Sequence, residues 1–71
     1  MKIEFKNTER STSVSLNDDS TEKEIMLEAT YDGVKAWHTF TTLEELEDFI
    51  EAAKTMRLRL AKRLGEAPKT R

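Results

Sequence analysis

The side chains of this sequence that could do chemistry are few. A nucleophile needs a base held against it, and His38 is the one histidine of the chain. It falls in an alternating run with Ile25, Leu27 and Phe40 on its side, so it is expected to pack at a core edge, donating to a backbone carbonyl or to the helix. Asp18-Asp19 could touch a cation, but no calcium-loop spacing surrounds the pair. There is no cysteine, which removes disulfides and thiolate zinc sites. Gly33 and Gly65 are the only glycines, too few for a phosphate-cradling loop. The expectation is a domain that is not an enzyme and carries no metal or cofactor.

Two features suit binding better than catalysis. Trp37 falls on the polar side of its run, together with Met26 and Lys35, and with Lys2 and Lys6 from the chain start. Tryptophan is enriched at binding surfaces. Here it has three readings: packing on Glu28 or Lys35, lying in a subunit or partner interface, or stacking on a base. A slip of one residue in strand register would exchange Trp37 and His38 between faces. The second feature is a basic segment, residues 54–69, holding Arg57, Arg59, Lys62 and Arg63. It reads as a solvated helix end that complements the helix dipole, or as a phosphate-binding stripe, although these residues do not share one face. From Met1 to Ala53 there are five basic residues against thirteen acidic ones, and from Lys54 to Arg71 seven against Glu66 alone. An acidic body with a basic end raises the expectation of contact with nucleic acid or an acidic protein surface.

The elements that must position these residues follow from periodicity. Residues 2–6 alternate, with Ile3 and Phe5 on one side. Residues 12–16 alternate again around Val14 and Leu16. Residues 22–31 form the longest alternation, placing Ile25, Leu27, Ala29 and Tyr31 together. Asp32-Gly33 then marks a two-residue type I′ hairpin. This pairs Tyr31 with Val34, Ala29 with Ala36, Leu27 with His38 and Ile25 with Phe40, and on the reverse side Glu28 with Trp37. A helix starts at Thr42 or one residue earlier, where Thr42-Leu43-Glu44-Glu45 forms a capping box. Its apolar stripe runs Leu43, Leu46, Phe49, Ile50, Ala53, Met56, Leu60, Leu64. Gly65 and Pro68 mark its end. The fold class expected is α+β: an antiparallel four-stranded meander followed by one long amphipathic helix. Residues 1–65 form one domain and residues 66–71 a flexible tail.

Size adds a constraint. A chain of 71 residues buries only about 60% of its unfolded surface, and without disulfides or metal the usual supplement is a partner. A helix of about 22 residues is roughly 33 Å long, whereas a strand of about eight residues covers roughly 26 Å. The helix should overhang its sheet at the C-terminal end and leave Met56, Leu58, Leu60 and Leu64 to meet a second copy, in a two-fold antiparallel pair. No apolar run is long enough for a signal peptide or membrane span, so a soluble, cytoplasmic protein is expected.

The order of elements, with Gly33-Val34-Lys35 leading through the last strand into Thr42-Leu43-Glu44-Glu45-Leu46, resembles the PC4-like transcriptional coactivator family over residues 3–64. That resemblance implies dimerisation through the helices and single-stranded DNA on the sheets. The chain departs from the family in its acidic strands, with Glu4, Glu22, Glu24 and Glu28 where basic residues would be wanted. Small cysteine-free, charge-rich chains are also similar in style to phage-encoded accessory and host-takeover proteins. The expected function is a homo-oligomeric module binding a protein or small ligand, such as a phage-type inhibitor or regulator. The alternatives are single-stranded nucleic-acid binding on the sheet and sequestration of a nucleotide between subunits.

Overall fold

The computed structural model describes residues 1–67. Four strands, β1 (Lys2–Asn7), β2 (Thr12–Asn17), β3 (Ile25–Tyr31) and β4 (Val34–Phe40), precede one helix, α1 (Leu43–Leu64). The strands form one antiparallel sheet in the order β1-β2-β3-β4. This is the ββββα arrangement expected from the alternation.

The β3–β4 turn is a type I′ hairpin in its backbone. Asp32 and Gly33 both have positive φ, 49° and 77°, the twist that matches flanking strands. It sets Tyr31 opposite Val34, Glu28 opposite Trp37 and Ile25 opposite Phe40. β3 begins three residues later than the alternation indicates. The reason is local: Glu22 N–H is held by Ser20 Oγ at 3.0 Å and Glu24 N–H by the Glu22 carbonyl at 2.9 Å. These contacts turn the backbone at residues 22–24 where strand pairing would need it extended. At the same end of the sheet the Met1 ammonium donates to Asp18 Oδ1 and Asp19 Oδ1, both at 2.7 Å. Hydrogen bonds to Asp18 first, then Asp19, raise its pKa to about 10, and the same ammonium holds the Asp18 carboxyl below its ordinary value.

The helix is closed by its own sequence at both ends. Thr42 is the N-cap, and its Oγ1 accepts from Glu45 N–H at 3.1 Å. The Glu45 carboxylate, expected to return to the cap, lies instead 3.7 Å from His38 Nε2. At the far end Gly65 adopts φ 66°, its N–H meets the Lys62 carbonyl, and Glu66 N–H reaches the Ala61 carbonyl at 2.9 Å. This is a Schellman closure, so Glu66 is tied to the helix. Of the expected tail, residues 68–71, with Pro68 and Lys69, lie outside the described residues.

Packing departs most from the sequence-based picture. The register gathers Ile3, Phe5, Val14, Leu16, Ile25, Leu27, Ala29, Ala36, His38 and Phe40 on one sheet face. The helix meets that face only with its first two turns, against β4. There Phe40, 5% exposed, is the pivot: its ring lies 5.2 Å from Phe49 and 4.7 Å from His38. The two-residue connection, Thr41-Thr42, starts the helix beside the end of β4, and the rest of it runs clear of the strands. The expected C-terminal overhang therefore extends over most of the helix. The only other buried apolar residue among the described residues is Ala61, within α1. The radius of gyration is 14.1 Å, against about 11 Å for a compact chain of this length.

Candidate functional site

The reverse face of the sheet carries the expected binding residues, and the register arranges them in rows. One row runs Lys2, Asn17, Met26, Thr39; the next Glu4, Ser15, Glu28, Trp37; the third Lys6, Ser13, Thr30, Lys35. Trp37, Met26, Lys35, Lys2 and Lys6 thus share one face, but they do not form one cluster. Trp37 and Lys35 stand on the β4 edge, and Lys2 and Lys6 on the β1 edge. Three strand spacings separate those edges, about 14 Å, which exceeds the screening length of about 8–10 Å in ordinary salt.

On the β4 side Trp37 is 60% exposed, and its indole Nε1–H donates to Glu28 Oε2 at 3.3 Å. Lys35 Nζ lies 3.4 Å from Glu28 Oε1. Glu28 therefore holds both neighbours, tying down the N–H edge of an indole that stays largely exposed. Half-buried Met26 lies in the adjoining row, a polarisable side chain suited to an irregular surface. In the centre of the face Ser15 is 4% exposed. It is flanked in its row by the longer Glu4 and Glu28. On the β1 edge Lys6 Nζ pairs with Glu4 Oε1 at 3.5 Å. These pairs are solvent-facing and add little to stability, but they offset much of the positive potential that a phosphate backbone would require.

The helix holds the other expected residues. Met56, Leu58, Leu60 and Leu64 are all exposed, Leu60 at 56%. By helical spacing Met56, Leu60 and Leu64 continue the stripe from Phe49 and Ala53, while Leu58 falls outside it. Arg59, Lys62 and Arg63, spaced i, i+3 and i+4, share one face on the polar side. Arg57 is different: it stands one turn from both Ala53 and Ala61, inside the apolar stripe. Met56, Arg57, Arg59, Leu60 and Arg63 line a groove on the helix. Among the described residues no three metal-ligating side chains come together, and no helix is long and apolar enough to cross a membrane.

One set of residues escaped the sequence reading: the apolar sheet face itself. Ile3, Phe5, Tyr31 and Val34 are all exposed, Val34 at 71%. The signal was present in the element count. A helix is about 10–12 Å across, whereas four strands span about 14 Å between their outer axes, so one helix cannot cover them. Compared with known protein families, with characterised proteins and with solved structures, the chain shows no significant match.

Proposed function

We propose that the protein is a non-enzymatic, homo-oligomeric interaction module that binds a protein or a small ligand through the sheet face carrying Trp37. The observation behind this reading is the state of Trp37. It is largely exposed on a polar face, its N–H is already committed to Glu28, and Met26 and Lys35 flank it. An exposed indole held by its N–H edge is an aromatic anchor for a partner. The oligomer contact is assigned to Met56, Leu58, Leu60 and Leu64 on the helix. A role as a phage-type inhibitor or regulator in the cytoplasm is consistent with the composition.

Single-stranded nucleic acid ranks second. Its support is the placement of Lys2, Lys6 and Lys35 on the tryptophan face, with the basic helix end as an auxiliary site. The ion pairs of Lys6 with Glu4 and of Lys35 with Glu28 count against it, because phosphate contacts dominate such affinity. A nucleotide held between subunits, with the same tryptophan and arginines, would tolerate mixed charge better.

Trp37 is the only tryptophan, so intrinsic fluorescence reports on this face. Titration with single-stranded oligonucleotides and a panel of nucleotides, at low and moderate salt, separates the readings. A salt-sensitive response to oligonucleotides moves the conclusion to strand binding, and a response to one nucleotide moves it to sequestration. No response from a folded sample, followed by capture of one partner that Trp37→Ala abolishes, supports the protein-binding reading. Partner capture indifferent to Trp37→Ala overturns the assignment of this face.

A further inference from the structure

We infer that the apolar face of the sheet is completed by the distal half of α1 from a second copy of this chain, reciprocally, so that each core is built from two chains. The inference rests on the homo-oligomeric reading and goes beyond it. It replaces a contact between helix ends alone with a helix seated on the partner's sheet.

Three observations support this. The first is area. The chain exposes 6499 Å², whereas a compact monomer of 8.2 kDa exposes about 4,500 Å². The excess is of order 2,000 Å² per chain, and two such surfaces brought together fall in the range of obligate homodimers, about 2,000–5,000 Å² in total. The second is shape. Ala29 and Ala36 are directly paired, and their small side chains leave a trough of about 400 Å³ bounded by Val14, Tyr31 and Val34. A helix ridge fits such a trough. The chain's own helix does not supply it, because its contacts with the sheet are confined to β4 near Phe40. Ala36 lies four residues back along the strand, about 13 Å away. The third is charge. The Phe40 end of the sheet is rimmed by Glu22, Glu24 and the helix start at Glu44, with Asp18 and Asp19 there paired to the Met1 ammonium and Glu45 beside His38. The distal helix carries Arg59, Lys62 and Arg63 together along one side of the Met56, Leu60 and Leu64 stripe. A second copy thus offers an apolar stripe with one basic flank to an apolar face whose Phe40 end is acidic.

The chain has no cysteine, so cross-linking can be directed. Ala36→Cys and Val14→Cys on the sheet, and Met56→Cys, Leu60→Cys and Leu64→Cys on the helix, are made as single variants of the full chain. Each sheet variant is co-refolded with each helix variant under mild oxidation, and mass is measured by light scattering. The inference expects a species of twice 8.2 kDa and a disulfide between a sheet variant and a helix variant, lost on reduction. A species of that mass that yields only helix-to-helix disulfides overturns the inference while leaving the homo-oligomeric reading intact. A folded protein of single-chain mass at all concentrations overturns both.

Discussion

Phe40 and Trp37 lie three residues apart on one strand and carry opposite duties. Phe40 closes against Phe49 and His38 and is the most buried apolar side chain described. Phe40→Ala should cost about 3–5 kcal/mol, the range for a buried aromatic, and in so thin a core this should appear in chemical denaturation as loss of the folded baseline. Trp37 is exposed and its ring contributes surface instead of core. Trp37→Phe should change stability by less than about 0.5 kcal/mol; a larger loss in the same measurement would mean that the indole is structural. Glu28, directly opposite Trp37 on β3, decides how the indole is presented, since it holds both Trp37 Nε1 and Lys35 Nζ.

At the scale of elements, the hairpin and the helix are each specified locally. Gly33 has φ 77° with nothing near the position a Cβ would take, so its requirement is backbone conformation and not space. Gly33→Ala should cost about 1–2 kcal/mol, the penalty for an L-residue in the left-handed region, read from the urea midpoint. Thr42 accepts from Glu45 N–H, and Thr42→Ala should cost about 1 kcal/mol with a fall in helical circular dichroism on warming. The helix is unusual in that this local specification is nearly all that it has within its own chain. Beyond Phe49 its stripe meets no strand, and isolated helices are marginal in water even when well capped.

The whole molecule explains how such a helix persists. In the association proposed above, a chain with two uncovered apolar faces, one on the sheet and one on the helix, places one against the other in a second copy. Folding is then coupled to association, and the thermal midpoint should rise with protein concentration, as calorimetry over a hundred-fold dilution would show. A concentration-independent midpoint would contradict this. Leu60→Asp sets a charge in the centre of the distal stripe and should shift the protein towards monomer or unfolding by light scattering and circular dichroism. A variant that stays folded in the wild-type oligomer would show that the stripe makes no self-contact.

The sequence by itself determined the order and type of the elements and the register of the β3–β4 hairpin, though not the start of β3. Alternation with period two marks the strands, Asp32-Gly33 accepts the one turn that joins β3 to β4 at that register, and Thr42 and Gly65 close the helix through bonds to their neighbours. These are contacts made within a few residues, so composition and spacing reveal them. The same register placed Trp37 with Met26, Lys35, Lys2 and Lys6 on one face. Only the tertiary structure decided how those residues relate: Lys2 and Lys6 stand three strands away from Trp37, and Glu28 takes both the indole N–H and the Lys35 ammonium. It also decided that the helix leaves the sheet after two turns. Periodicity reports which side of an element is apolar but not what covers it. The direction in which a two-residue connection sends a helix is set by the packing of Phe40 on Phe49, a contact between segments that no local pattern encodes.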